Sequence, residues 1–196
     1  MNWVRIRKDS IVVNGDVLST ENTGQAMLKE VYKKHIGGYP KFFKMDALCK
    51  LGLIASELLL QLESPRVTDT EQRAVILFNR ASSLSDDRNY QATIQDAGNF
   101  FPSPAVFVYT LPNIVTGEIS IRNKYYGETL FVVLDHFNAQ EMFNVVREAF
   151  LDPMTSDVIT GWVDCENKDD FEACMFLASA VDQDFTPEFI NEIYNK

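Results

Sequence analysis

The segment from Met45 to Leu62, MDALCKLGLIASELLLQL, constrains this chain more than any other stretch. Its apolar residues run around nearly the whole circumference of a helix between Leu51 and Leu60, so the helix must be covered on more than one side. Ser64-Pro65 breaks it. A helix of this kind needs layers around it, and strand and helix signals alternate along the rest of the chain.

Trp3 to Arg7 alternates apolar and basic residues, and Ile11 to Val13 is followed by the turn pair Asn14-Gly15, which predicts a β-hairpin start. Thr20 to Lys34 has helical period on Met27, Leu28 and Val31, ended by Gly37-Gly38 and Pro40. Arg73 to Asn79 reads as a strand buried on both faces, and Thr129 to Leu134 as a second buried strand. Ser82 to Asp87 reads as a polar loop, and the prolines at 102 and 104 forbid regular structure just before Ala105-Val106-Phe107-Val108. From Asn113 the spacing of Ile114, Gly117 and Ile121 suits a helix packed closely through Gly117. Ala139 to Phe150 is an amphipathic helix, Asp157 to Val163 a third strand, and Phe171 to Ala180 either helix or strand. Thr186-Pro187-Glu188 opens a last short helix. The expected fold is α/β: a mixed, mostly parallel sheet with helices on both faces, built as a single domain over residues 1–196.

A length of 196 residues with 46% hydrophobic content fills one sizeable core. The net charge of −10 disfavours nucleic acid and anionic membrane as partners, although Lys41, Lys44 and Lys50 could form a local basic patch. The N-terminus lacks the features of a secretory signal and no run is long enough to span a bilayer, so a cytoplasmic location is expected. Cys49, Cys165 and Cys174 sit in apolar stretches and read as reduced core thiols. No pattern for a metal or cofactor is present, and none is expected.

Three segments in order carry a resemblance: FKMDALCKLGLIASELLL from Phe43, SPAVFVYTLPNIVTGEISIRNKYYGETLFVVL from Ser103, and the helix and strand after Leu134. Together they resemble the N-terminal half of a β-ketoacyl-acyl carrier protein synthase of the thiolase-like class, particularly the variants of aryl-polyene and related pigment pathways. The resemblance covers most of Phe43 to Val163. It implies a thiolase-like half domain in which the Thr129–Leu134 strand pairs with its twin across a dimer axis. It also implies that the helix faces of one half are hidden against a second half, which has no counterpart here. By this argument the apolar helix Leu51–Leu60 should be covered by a homodimer partner or by a complete ketosynthase subunit.

The departure from that family is chemical. Counting from Gly127, the family's nucleophilic cysteine falls on His136, in LDHFNAQEM, and the segment holds no cysteine. A thioester-forming nucleophile has to be a soft, partly ionised thiol, which imidazole does not replace. The resemblance therefore implies a non-catalytic, synthase-like protein acting beside carrier protein-dependent fatty-acid or polyketide chain building, with acyl carrier protein a further candidate partner. The alternative is an acyl-thioester enzyme, a transferase of the 3-oxoacyl synthase type, decarboxylase or hydrolase, with His136 as base and Asp135 or Asn138 orienting it. A third is a binding or scaffold protein that keeps only the fold. His136 read plainly is a residue before a helix. Phe107, Asn113 and Phe137 are the candidate substrate contacts, and Phe100, Phe101 and Tyr109 could join Phe107 in an acyl tunnel or simply in core. His35 reads as a helix-terminal residue, Ser82, Ser83 and Ser103 as loop residues, and Glu71, Asp87 and Asp96 as solvated carboxylates.

Overall fold

The structure is a computed structural model and describes residues 1–98 and 101–196; Phe100 lies outside them. Apolar alternation at the start gives β1 (Asn2–Arg7) and β2 (Ser10–Val13), joined through Lys8-Asp9. Asn14-Gly15 makes the following turn, into β3 (Asp16–Val17), with φ of 49° and 97° at the two residues. The turn signal thus marks a second hairpin that the short, exposed β3 hid from view.

The chain continues through α1 (Gly24–Val31), α2 (Ala47–Leu60), β4 (Arg73–Asn79), α3 (Leu84–Ile94), α4 (Pro104–Phe107), α5 (Ile114–Asn123), β5 (Thr129–Val133), α6 (Ala139–Ala149), β6 (Asp157–Asn167), β7 (Asp170–Ser179) and α7 (Pro187–Asn195). A single wide π turn, Tyr32–Ile36, extends α1, and 3₁₀ turns at Pro40–Lys44 and Val108–Thr110 complete the list. One sheet has the order β3-β2-β1-β7-β6-β4-β5. Helices cover both of its faces, α1, α2 and α5 on one and α6 and α7 on the other.

The sheet is mixed as expected, with a larger antiparallel share. Among the described strands only β4–β5 and β4–β6 pair in parallel; β6 and β7 form a long hairpin, and β1 lies antiparallel to β7. The alternation of strand with helix holds only up to β6. Beyond it Lys168-Asp169 turns the chain straight back, which permits only antiparallel pairing. Most of Phe171 to Ala180 is accordingly strand, β7 ending at Ser179. β4 is buried throughout, whereas β5, read as a buried strand, is half exposed at the edge of the sheet. Ser82 to Asp87 is not a loop, since α3 begins at Leu84.

α2 differs most from expectation in its surroundings. Asp46 caps it, Oδ1 and Oδ2 accepting from the amides of Cys49 and Leu48, each at 3.1 Å. Its circumference is buried by this chain alone: Val4, Ile6 and Ile11 of the N-terminal hairpin, Met27, Leu28 and Val31 of α1, Phe42, and Val115 and Ile119 of α5 share its cluster. The inference that a partner must cover Leu51–Leu60 is therefore overturned, because the N-terminal hairpin and α1 supply the missing layer. Gly52, rather than Gly117, makes the close helix contact. A Cβ at Gly52 would fall on Val115 Cγ2, whereas one at Gly117 meets nothing within 4 Å. Glu57 then ties α2 to α5 and the following loop: burial pushes its carboxyl up, but Arg122 at 2.9 Å and Arg66 at 2.8 Å outweigh that and hold it below the ordinary range.

Candidate functional site

His136 lies between β5 and α6, where Asn138 opens the helix by accepting from the amides of Gln140 and Glu141, each at 3.1 Å. Asn138 is the cap, which leaves His136 free of that role. Its side chain is 68% exposed and its Nδ1 lies 2.6 Å from Asp135, itself 89% exposed. So open a pair neither buries the imidazole nor fixes it against a reacting atom.

His136 and Phe137 line a cleft of about 480 Å³ shared with Trp162, Tyr194, Arg7 and Arg80. Its floor is aromatic. Phe137 stacks on Tyr194 with centroids 3.6 Å apart and meets Trp162 edge-on at 5.7 Å. Its walls are ion pairs and caps: Asp164 accepts from the amides of Arg80 and Ala81 at 3.2 and 2.9 Å, Arg80 reaches Glu166 at 2.6 Å, and Tyr194 donates to Glu172 at 2.6 Å. Burial, with the Glu172 carboxylate, raises the Tyr194 phenol well above its ordinary range, so it stays a donor. Arg5 and Arg7 donate to the carbonyls of Ile193 and Tyr194, where the last turn of α7 favours positive charge. Trp162, Tyr194, Arg80 and Asp164 were missed because they sit in a strand, a loop and a tail that pattern reading treats as frame.

The other candidates do not line this cleft. Phe107 is on α4, half exposed, with Tyr90 of α3 edge-on at 5.3 Å. Asn113 precedes α5 with its side chain making no cap bond. Tyr109 packs against the main core, while Phe101 is exposed. The basic patch is largely committed: Lys41 pairs with Glu118 at 2.5 Å, and Lys50 is half-buried near the carboxylates of Asp46 and Asp86. Ser83 is structural, its hydroxyl donating to the Thr110 carbonyl at 2.6 Å. His35 ends the π turn before Gly37, and its carbonyl accepts from Gln61 at 2.7 Å. Glu71, Asp87 and Asp96 are exposed.

None of the three thiols lies at the start of α6. Cys49, Cys165 and Cys174 are buried; burial pushes Cys165 and Cys174 up to about 12, and Cys49 well above its ordinary value. Thiols held protonated in this way are poor nucleophiles at neutral pH. Among the described residues no group of histidine, cysteine and carboxylate side chains could hold a metal ion, and no helix is long and apolar enough to cross a membrane.

No protein-family model and no curated protein matches the sequence. Solved structures do match. A chain of the ishigamide ketosynthase/chain length factor superimposes over 92% of this chain with a TM-score of 0.64 at 14% identity. A chain of the ketosynthase ApeO in complex with its chain length factor ApeC, from Xenorhabdus doucetiae, superimposes over 91% with a TM-score of 0.57 at 15% identity. The fold is that of ketosynthase/chain length factor structures. This chain spans 61% of the length of the first and 77% of the second. The α/β architecture expected from the three resembling segments is therefore present, and His136 lies in the connection between β5 and α6.

Proposed function

We propose that this chain is a non-catalytic, ketosynthase-like subunit of the chain length factor kind. In this reading it pairs with a complete ketosynthase in the cytoplasm and helps bound the space in which a carrier protein-linked acyl chain grows. The observation that carries the reading is what stands where the resemblance puts the family's nucleophile. An exposed imidazole stands at the start of α6, and every cysteine of the chain is a buried, protonated thiol. A fold kept without its nucleophile fits an accessory subunit, and the two solved structures named above each combine a ketosynthase with a chain length factor.

The covering of α2 moves the docking surface elsewhere. The outward face of α6 carries Gln140, Glu141, Asn144, Arg147 and Glu148, all exposed, so no apolar helix face there awaits a second half. Exposed apolar side chains gather instead around β5. Val133 ends the strand opposite Asn79, Asn79 bonds Ser82, and Ser83 reaches Thr110, which brings Leu84, Phe107, Val108 and Leu111 to the same end of the sheet. An open strand edge flanked by apolar side chains suits a partner that continues the sheet.

The test is reconstitution with the ketosynthase whose gene neighbours its own. A stable complex that extends acyl chains on carrier protein is expected, together with wild-type turnover, within about twofold, for His136→Ala. Acyl-thioester turnover by this chain alone that His136→Ala abolishes would instead establish the enzyme reading. A homodimer that ignores the ketosynthase would exclude the pairing.

A further inference from the structure

The parallel strands β4, β5 and β6 run side by side, and the chain leaves β4 to return through α5 on one face of the sheet but leaves β5 for α6 on the other. Diverging connections of this kind open a crevice beyond the carboxyl ends of the strands, the usual ligand position of open α/β sheets. Here that crevice is the cleft lined by Arg80 after β4, by His136 and Phe137 after β5, and by Trp162 of β6. Its volume of about 480 Å³ is that of a small-molecule site. Among its side chains, all of them described residues, only Trp162 has a buried polar atom without a hydrogen-bond partner: the residue is 2% exposed and its Nε1–H donates to nothing. A buried donor left in this state costs about 1–3 kcal/mol, so an acceptor brought to the floor is favoured. At the rim, Lys8 and Asp170 are exposed, and neither side chain has an ion pair or hydrogen bond among the described residues. The other carboxylates are engaged, Asp164 by the amides of Arg80 and Ala81, Glu166 by Arg80, Glu172 by Tyr194 and Asp9 by Ser10. Arg7 is held by the Tyr194 carbonyl.

We infer that this crevice binds a small aromatic α-amino acid as its zwitterion. The ring lies on the floor of Phe137, Trp162 and Tyr194, the carboxylate accepts from Trp162 Nε1–H and pairs with Lys8, and the ammonium pairs with Asp170. Charge decides the class of ligand. A plain anion would meet a lining in which carboxylates outnumber Arg7, Lys8 and Arg80, and a plain cation would leave both Lys8 and the indole N–H unmet. A zwitterion answers each open group with its opposite. The aromatic floor favours a flat ring on the ligand, through ring–ring contact and through attraction of the ammonium to the ring faces. The site does not depend on the function proposed above and is tested on the isolated chain, so either can fail alone.

The chain has two tryptophans, and Trp3 lies outside the crevice. Their indole N–H signals in a nitrogen–proton correlation NMR spectrum, told apart with Trp3→Phe, therefore serve as probe and internal reference. L-Phenylalanine is titrated beside phenethylamine, which lacks the carboxylate, and hydrocinnamate, which lacks the ammonium. Expected are a saturable shift of the Trp162 signal with phenylalanine while the Trp3 signal stays in place, and binding of phenylalanine at least about tenfold tighter than that of either analogue. Lys8→Met and Asp170→Asn change exposed side chains and should keep the fold. The first should lower the affinity for phenylalanine to that for phenethylamine, and the second should lower it to that for hydrocinnamate. A Trp162 signal that phenylalanine does not move, an analogue that binds as tightly as phenylalanine, or variants that leave its affinity unchanged would each overturn the site.

Discussion

Arg73→Met is expected to destabilise the chain by about 4 kcal/mol, because removing one member of a buried ion-pair network leaves its partners charged and unpaired. Arg73 opens β4 at 2% exposure. It donates to both oxygens of Glu63 at 2.9 and 2.7 Å and to Tyr125 Oη at 3.2 Å, pairs with Asp157 through Nε, and sits 5.2 Å from the Tyr125 ring centroid. Burial alone would lower its guanidinium; Glu63 and Asp157 outweigh this and raise it, so the charge is secure at any working pH. The network joins the end of α2, the start of β4 and the start of β6, and thereby the two parallel pairings of the sheet. For a chain of this length the loss corresponds to a fall of about 10 °C in Tm, readable by thermal unfolding. Arg73→Met combined with Glu63→Leu and Asp157→Asn should recover most of it, since replacing a whole buried network by apolar or neutral groups is close to neutral. Failure of that rescue would mean that Arg73 acts chiefly through packing on Tyr125.

Apolar pattern made the core of this fold legible. The run Ala74 to Phe78 announced a central strand, the periodicity of Met142, Val146 and Ala149 announced α6, and Thr186-Pro187 announced α7, whose Thr186 hydroxyl does accept from the Phe189 amide at 3.2 Å. What pattern could not give was placement. TLFVV reads alike in a central and an edge strand, because side chains packed from the two sheet faces say nothing about whether the backbone's far edge has a neighbour. The all-round apolar α2 said that it is covered but not by what, and its cover comes from the N-terminal segment before it, through Val4, Ile6 and Met27, and from α5 beyond it, through Val115 and Ile119. α3 was invisible because LSDDRNYQATI offers no apolar stripe, its one buried residue being Asp86. At the candidate site, His136 and Phe137 were legible by position in a resembling segment. Trp162 and Tyr194, which complete the aromatic floor, come from β6 and α7 and meet them only through tertiary packing.

If the proposed pairing holds, joining Phe107→Asp to Leu111→Asp should leave the fold of the isolated chain intact and weaken its binding to the proposed ketosynthase partner by at least about 100-fold. Both side chains are roughly half exposed, so each substitution changes stability by about 0.5 kcal/mol or less. At an interface the same change buries an unpaired carboxylate where an apolar anchor stood, and about 2.7 kcal/mol suffices for a hundredfold loss. Val133→Lys, at the end of β5, tests the other half of that surface, since a charge at a strand edge is the means by which natural sheets refuse an added strand. Arg147→Ala, on the polar outward face of α6, is the matched control and should bind as the unaltered chain does. Titration calorimetry separates the two faces without any assay of activity. Should Arg147→Ala weaken the complex and the Phe107/Leu111 pair not, the partner sits over α6, in the position of the second half of a complete synthase, and the polar character of that face then implies a wet, ion-paired contact in place of a continued sheet.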